Sequence, residues 1–479
     1  MPEARPALRR AAMAQWERLP ALDGVAPMDA AESLRDLPGL ALLESARPGR
    51  TGRWSLLVAD PVAVLDEAAS GADPFAAARQ LLARLATSTP SGPSDASAMP
   101  PFAGGLVGYL AYDLGRRLER LPVIARRDQD LPELRLGLYD RVLAWDRRNG
   151  QAWIGGRAVD GDGSRLERRL AELRGRVLAA RLAGAAAPGE DPEAIRFTRT
   201  TTRDQWVAGV TAVREAIADG DIYQANLTRR LEAPFAGDPW PLFRRLRTGD
   251  PALFAGYLDI GPSPVTGAPR ALLSASPEPF LAIDAEGRVA TDPIKGTRRR
   301  GRTRVEDRAL ARELLASGKD RAENVMIVDV LRNDLGRVCL PGTVTVPRFL
   351  RLERTATVQH LVTTVTGRLR PGTDAFDLLA ASFPGGSITG APKIRAMELI
   401  EGLEPVRRGP YCGTLAWIGA DGRMGSSILI RTLVADGQRL TLHVGGGITW
   451  RSDPDEEWDE TVAKARGPLA SIGAVEDDA

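Results

Sequence analysis

Leu429-Ile-Arg431-Thr-Leu-Val434 is followed by Asp436-Gly437 and then by Leu440-Thr-Leu-His443-Val444. Two short apolar runs separated by an Asp-Gly signal read as antiparallel strands joined by a turn. Further runs of the same kind lie upstream. Trp54-Ser-Leu-Leu-Val-Ala59 and Arg141-Val-Leu-Ala-Trp145 are short, apolar and bounded by Asp, Pro or Gly. Between them come helical patterns. Pro74 to Ala86 places Phe75, Ala78, Leu81, Leu82 and Leu85 on one side, and Thr202 to Ala218 reads as a second helix. Val305 to Leu335 reads as a helix broken near Ser317-Gly318. Strand and helix signals mix without a regular βαβ alternation, which predicts an α+β fold with mostly antiparallel sheet.

The chain has 479 residues, of which 43% are hydrophobic, enough for a large buried core and by length for two or three domains. A formal net charge of +2 provides no field to attract nucleic acid. No run of about 18 apolar residues is present, so no membrane span is expected. Cys339 and Cys412 are the only cysteines, far apart and without CxxC spacing, and Met1 to Arg10 lacks the apolar run of a secretory signal. The expected setting is cytoplasmic, with both thiols reduced. Residues 87–101, rich in Ser, Thr and Pro, predict a long surface loop, and residues 183–193 a flexible connector. The connector divides a first region, 1–182, from a second, 194–473.

The second region carries the polar motifs. Ser276-Pro-Glu278-Pro precedes Pro293-Ile-Lys295-Gly-Thr297, which runs into Arg298, Arg299 and Arg300. Asp320 and Glu323 are three apart ahead of an apolar helical stretch, which reads equally as a capping box or as a pair of acids on one face. Glu457, Glu460 and Lys464 follow Pro454 at helical spacing, the pattern of a solvated helix start with a Glu–Lys pair. Gly445-Gly446-Gly447, after the strand ending at Val444, is either a loop or a place where backbone N–H groups approach an anion. Arg431 stands between apolar neighbours, where a guanidinium could grip a carboxylate bidentately. The two histidines, His360 and His443, have no zinc-ligand spacing, and His443 reads as structural.

In order and spacing these blocks, with Gln359-His360-Leu361 and Ser387-Ile-Thr389-Gly-Ala-Pro-Lys393, resemble the chorismate-utilising enzymes. That family includes anthranilate synthase component I, aminodeoxychorismate synthase component I, isochorismate synthase and salicylate synthase. The resemblance implies an anthranilate synthase component I-like fold: two large antiparallel sheets packed face to face, helices outside, and an active site in a cleft of the second region. It implies Mg²⁺ held by Glu323 and Glu460, with Asp320 and Glu457 at the neighbouring acidic positions. Arg431 and the Gly445, Gly446 and Gly447 triplet would bind chorismate carboxylates. Tyr411, Ser387, Thr389 and Lys464 match further substrate-contacting positions, His360 lies near the leaving hydroxyl, and Glu278 delivers its proton. Pro279 departs from the family, where a basic residue often follows this glutamate. Lys393 matches the family stretch without a role.

Within the family, anthranilate synthases carry alanine in the Pro-Ile-x-Gly-Thr segment and aminodeoxychorismate synthases carry lysine. Lys295 therefore implies amination at C4, in the para-aminobenzoate branch of folate synthesis, with the lysine as nucleophile. An ordinary lysine pKa of about 10.4 leaves the amine charged at neutral pH. Arg298, Arg299 and Arg300, as positive neighbours, would favour the neutral form. Ammonia is expected from a separate glutamine amidotransferase, because the chain has no room for a Cys-nucleophile glutaminase. In the first region, Leu43, Glu44, Ser45 and Trp54 resemble the family's tryptophan-binding segment. Two rival readings stand beside this one: anthranilate synthase component I, and a non-catalytic regulator that binds tryptophan or chorismate.

Overall fold

The hairpin read from residues 429–444 forms, with a later start and a longer second arm. Strand Thr432–Asp436 pairs antiparallel with Arg439–Ile448, Leu433 opposite Leu442. Leu429 to Arg431 are not in the strand: here the chain leaves one sheet, at the end of Met424–Ile428, and enters the other. Arg431 takes a left-handed backbone, φ +49°, at this crossing. The glycine triplet, by contrast, lies inside the second arm, opposite Thr228, Leu227 and Asn226.

The computed structural model of the chain describes residues 15–46, 52–67, 71, 73–85, 99–183, 195–354 and 358–477. The expected loop at 87–101 and connector at 183–193 fall almost wholly outside them. Two large sheets organise the described residues. The first has thirteen strands and runs from Gln15–Arg18 through Trp54–Val58, Ala41–Glu44, Phe254–Pro262 and Pro269–Ser276 to Arg439–Ile448 and Gln224–Pro234. The second has ten, from the edge strand Ile294–Arg299 through Val358–Arg368, Pro279–Ile283, Met424–Ile428 and Thr414–Gly419 to Gly105–Leu110 and Leu134–Tyr139. The ladders are antiparallel except for Val475–Glu476 beside Arg196–Arg199. Strands from before residue 182 and from after it share both sheets.

Alternation along the strands gives each sheet two buried faces. Between the sheets, Leu56, Val58, Leu258 and Leu272 of the first meet Val107, Tyr109 and Leu415 of the second. The outer face of the first sheet is covered by helices that bring Leu170, Leu173, Trp240, Phe243 and Leu469. Phe75, Val328, Leu335, Phe376 and Leu379 cover the second sheet in the same way. The result is the expected α+β arrangement of two face-to-face antiparallel sheets with helices outside.

The helix expected over Val305 to Leu335 is two helices, Arg304–Ala316 and Gly318–Gly336, with Ser317 extended between them. Ser317 accepts the Asp320 N–H at 3.2 Å and so caps the second helix. The Asp320–Glu323 capping box therefore does not form. Asp320 occupies the first turn, and Glu323 lies a turn further in, free to point out of the helix.

Candidate active site

Lys295 is the second residue of the edge strand Ile294–Arg299. The ladder skips a residue between Lys295, opposite Leu361, and Thr297, opposite His360, so Gly296 forms a bulge. Gly296 has φ +77°, and a Cβ there would lie 2.9 Å from Asp320 and from Leu314, so conformation and space both demand glycine. The bulge presses this edge onto the start of helix Gly318–Gly336. Lys295 Nζ donates to the Ser387 carbonyl at 3.0 Å. Ser387, on a single 3-10 turn Gly386–Ile388, also lies beside the Glu278 carboxyl, whose charged form its hydroxyl and the Ile294 N–H favour. One residue thus neighbours both the lysine and the acid. Glu278 is 7% exposed. Burial raises its carboxyl above the ordinary range, and Lys295, Ser387 and Ile294 only partly offset this.

The arginine run does not surround Lys295 as expected. Arg298 pairs with Glu313 at 2.7 Å and with Asp320 at 3.5 Å, Arg299 with Glu306, and Arg300 with Asp307 at 2.7 Å. Their charges are neutralised by acids on and beside helix Arg304–Ala316. The groups that feel the Lys295 charge are carboxylates, Glu278, Glu323 and Glu460.

The four acids expected at a metal fall into two kinds. Asp320 faces Arg298, and Glu457, 3% exposed, accepts Ser452 at 2.6 Å and Lys319 at 3.2 Å. Glu323 differs: its Oε1 is buried and has no partner among the described residues. Burial pushes the Glu323 carboxyl up, Lys295 and Lys319 pull it down, and Asp320 and Glu457 push it up again. For Glu460 burial also acts upward, but Lys464, Lys319 and Lys295 prevail and hold it below the ordinary range. Lys464 bridges Glu460 Oε1 and the Gly445 carbonyl, both at 2.7 Å. A hard divalent cation takes oxygen ligands, usually one or two carboxylates with waters. The orphaned Glu323 oxygen and the half-exposed Glu460 fit that donor set. Among the described residues no three His, Cys, Asp or Glu side chains form a ready cage.

The glycine triplet forms one wall. Thr228 gives its N–H to Glu404, and Gly445 gives its carbonyl to Lys464, so this opposed pair exchanges no hydrogen bonds. By alternation the N–H groups of Gly445 and Gly447 point to the open edge, beyond the last residue paired with Thr432–Asp436. A Cβ on Gly446 would meet Glu457 Oε2 at 3.2 Å and Glu460 Oε1 at 3.7 Å.

The remaining expected residues are placed unevenly. His360 Nδ1 pairs with the Thr297 hydroxyl at 2.8 Å, one step along the strand from Lys295. Arg431 reaches towards Asp250, 3.8 Å away. Tyr411 is buried and stacks on His443 at 4.9 Å. His443, read as a satisfied structural residue, is held neutral by burial and nearby arginines, but its Nε2 has no partner among the described residues. Thr389 is fully buried and donates to the Gly385 carbonyl at 3.0 Å, away from any opening. Lys393 is structural, binding Asp334 Oδ2 at 2.8 Å and the Ser382 carbonyl at 2.9 Å. Lys319, which bridges the two acid-bearing helices, was missed, although it immediately precedes Asp320.

Leu43, Glu44, Ser45 and Trp54 line a separate cavity of about 370 Å³ between the sheets, with Leu56, Pro279, Leu415, Trp417 and Met424 among its other walls. Glu44 is fixed there by a two-pronged pair with Arg247 at 2.6 and 2.9 Å. Pro279, the departure noted after Glu278, is part of this wall.

The chorismate binding enzyme family model matches residues 41–470. Anthranilate synthase component 1 of Streptomyces coelicolor is 39% identical over 95% of this chain and 88% of its own length. Aminodeoxychorismate synthase component 1 of Salmonella typhimurium is also 39% identical, over 86% of this chain and 88% of its own. The crystal structure of anthranilate synthase component I from Streptococcus pneumoniae superposes with a TM-score of 0.75 at 27% identity, covering 95% of this chain and 99% of that one.

Proposed function

The chain belongs to the chorismate-binding enzyme family, and from that premise we propose that it acts as component I of an aminodeoxychorismate synthase, converting chorismate and ammonia to 4-amino-4-deoxychorismate and water. Overall identity favours neither amination, since relatives of both names reach 39%. The observation that carries the reading is Lys295 held on Ser387, the residue that lies beside the buried Glu278.

In this reading the neutral Lys295 amine attacks C2 of chorismate. Both conjugated ring double bonds shift by one position, and the C4–O bond breaks. Glu278, whose raised carboxyl keeps its proton nearer neutrality, supplies that proton to the leaving hydroxyl. Ammonia then forms a bond at C4, both double bonds shift back, the C2–lysine bond breaks to return the amine, and the Glu278 carboxylate recovers a proton from the new C4 nitrogen. His360 would lie beside the leaving group. Arg431 and the outward N–H groups of Gly445 and Gly447 would receive substrate carboxylate. Glu323 and Glu460 would hold Mg²⁺, which when bound supplies positive charge for a substrate carboxylate. Ammonia would come from a separate glutamine amidotransferase, and the name component 1 on the relatives supports such a partner. A cytoplasmic setting belongs to the same proposal, and the unbridged Cys339 and Cys412 are compatible with it.

A second reading, anthranilate synthesis, is favoured by the inter-sheet cavity behind Glu44 and Trp54, which suits bound tryptophan. A binding-only regulator has no need of a lysine and an acid set beside one serine. Product identification decides: purified protein with chorismate, Mg²⁺ and ammonium chloride, analysed by mass spectrometry. Aminodeoxychorismate is expected, and anthranilate as the main product overturns the proposal.

A further inference from the structure

Ser387 anchors the lysine and lies beside the acid, yet it sits on a single turn with little helical hydrogen bonding of its own. Its position must come from elsewhere. Three consecutive carbonyls of this turn are each held from outside. Ser387 C=O accepts Asn226 Nδ2 at 2.8 Å, Ile388 C=O accepts Arg408 Nη1 at 3.0 Å, and Thr389 C=O accepts the Asn226 N–H at 2.8 Å. Arg408 Nη2 in turn binds the Asn226 carbonyl at 2.7 Å, and its guanidinium is fixed by Glu404. Gln224 Nε2 donates to Asn226 Oδ1 at 3.2 Å, which fixes the amide with its nitrogen towards Ser387. Asn226 is therefore tied through its backbone N–H, its backbone carbonyl and both ends of its side chain.

We propose that Asn226 is a positioning residue, setting the Ser387 carbonyl and hydroxyl so that Lys295 and Glu278 are held at a fixed separation. The inference rests on the reading that makes these two groups the nucleophile and the acid. The Ser387 carbonyl receives two donors, the Asn226 amide and the Lys295 amine. A neutral amine with one N–H anchored on a fixed carbonyl has its lone pair held in one direction. If the carbonyl turns, that direction is lost while Arg431 and Gly445, which Asn226 does not pair with, stay in place. Misplacement of a reacting group by about 1 Å costs about 10²-fold in rate.

The test uses the full chain as Asn226→Asp, which keeps the shape but turns an acceptor towards the Ser387 carbonyl, and Asn226→Ala as a second variant should the first fold poorly. For whichever folds, kcat with ammonium should fall about 10²-fold, with KM for chorismate within about threefold of wild type. A second readout needs no turnover: the rate at which an amine-directed acylating reagent labels Lys295, followed by peptide mass spectrometry. Losing its anchor should make Lys295 label several-fold faster. Unchanged kcat, a loss carried by KM alone, or wild-type labelling would each overturn the proposal. Product identity is read from the same samples. Anthranilate with the labelling contrast intact would remove the C4 reading and leave the positioning role standing.

Discussion

The inter-sheet cavity and the Lys295 site are built from different materials. The inter-sheet cavity is walled by strand side chains that point inward by alternation, chiefly Leu43, Trp54, Leu56, Trp417 and Met424, with one acid neutralised by Arg247. The Lys295 cleft is assembled from a bulged edge strand, two helix starts and a glycine-bearing strand, and its charges remain only partly paired. An apolar wall can hold a ligand but offers nothing to exchange with it. A cleft with an unpartnered carboxylate, an amine and a buried acid can move protons and form bonds.

If that contrast is right, substitutions in the cleft should cost turnover and substitutions at the cavity should cost stability. The largest effect is expected for Lys295→Ala, which should lower ammonia-dependent amination by at least about 10³-fold with little change in folding. Normal product formation by this variant would show that the cleft is not organised around the lysine. Glu323→Gln should follow, with a loss on the order of 10²-fold and a weaker Mg²⁺ titration by calorimetry. Because Glu323 Oε1 has no partner among the described residues, the melting temperature of this variant should barely move. Wild-type turnover at ordinary Mg²⁺ would remove Glu323 from the metal.

Glu278→Gln should lose most activity and show an opposite trend in stability. The Glu278 carboxyl is raised in the folded chain, so the native state keeps its proton to higher pH than the unfolded one. Stability linked to the neutral acid is full at low pH and is lost as pH rises through the raised value. The glutamine variant should therefore gain stability relative to wild type between pH 5 and pH 8, as thermal unfolding at the two values would show. A constant difference would mean that Glu278 does not titrate as its burial implies. The smallest effect on turnover belongs to Glu44→Gln at the cavity. It leaves Arg247 without a charged partner and should lower stability by about 3 kcal/mol in urea unfolding, with ammonia-dependent rate near wild type.

The cleft was more legible than the cavity because more of its residues stand in blocks that resemble a family's. Lys295, Glu278, Glu323 and Glu460 are singled out by that resemblance, local spacing alone reading as a cap, a helix start or a turn. The same resemblance names Leu43, Glu44, Ser45 and Trp54, while the other cavity walls are scattered as far as Ser427. The misread details share a cause. Gly445 to Gly447 resembled a loop because their strand partners, Asn226 to Thr228, lie more than two hundred residues earlier. Arg431 continued an apolar alternation that hid the crossing between sheets. Asp320 and Glu323 matched a capping box, but Ser317 offered a cap three residues earlier and prevailed. Asn226 sent no signal at all, since its work lies in contacts with Ser387 and Arg408, far along the chain.

The sharing of both sheets by early and late strands bears on how the chain can be made. Strand Gly105–Leu110 pairs early with Leu134–Tyr139, but its other edge meets Thr414–Gly419 only about 300 residues later, and the second edge of Ala41–Glu44 waits for Phe254–Pro262. At a ribosomal rate of roughly 10 residues per second, the first of these edges stays open for about half a minute. Neither half can close its sheets alone during that interval. A nascent chain of this design needs protection from a chaperone or from its own transient pairings, and a split version expressed as two pieces should associate through those open edges rather than fold as separate units.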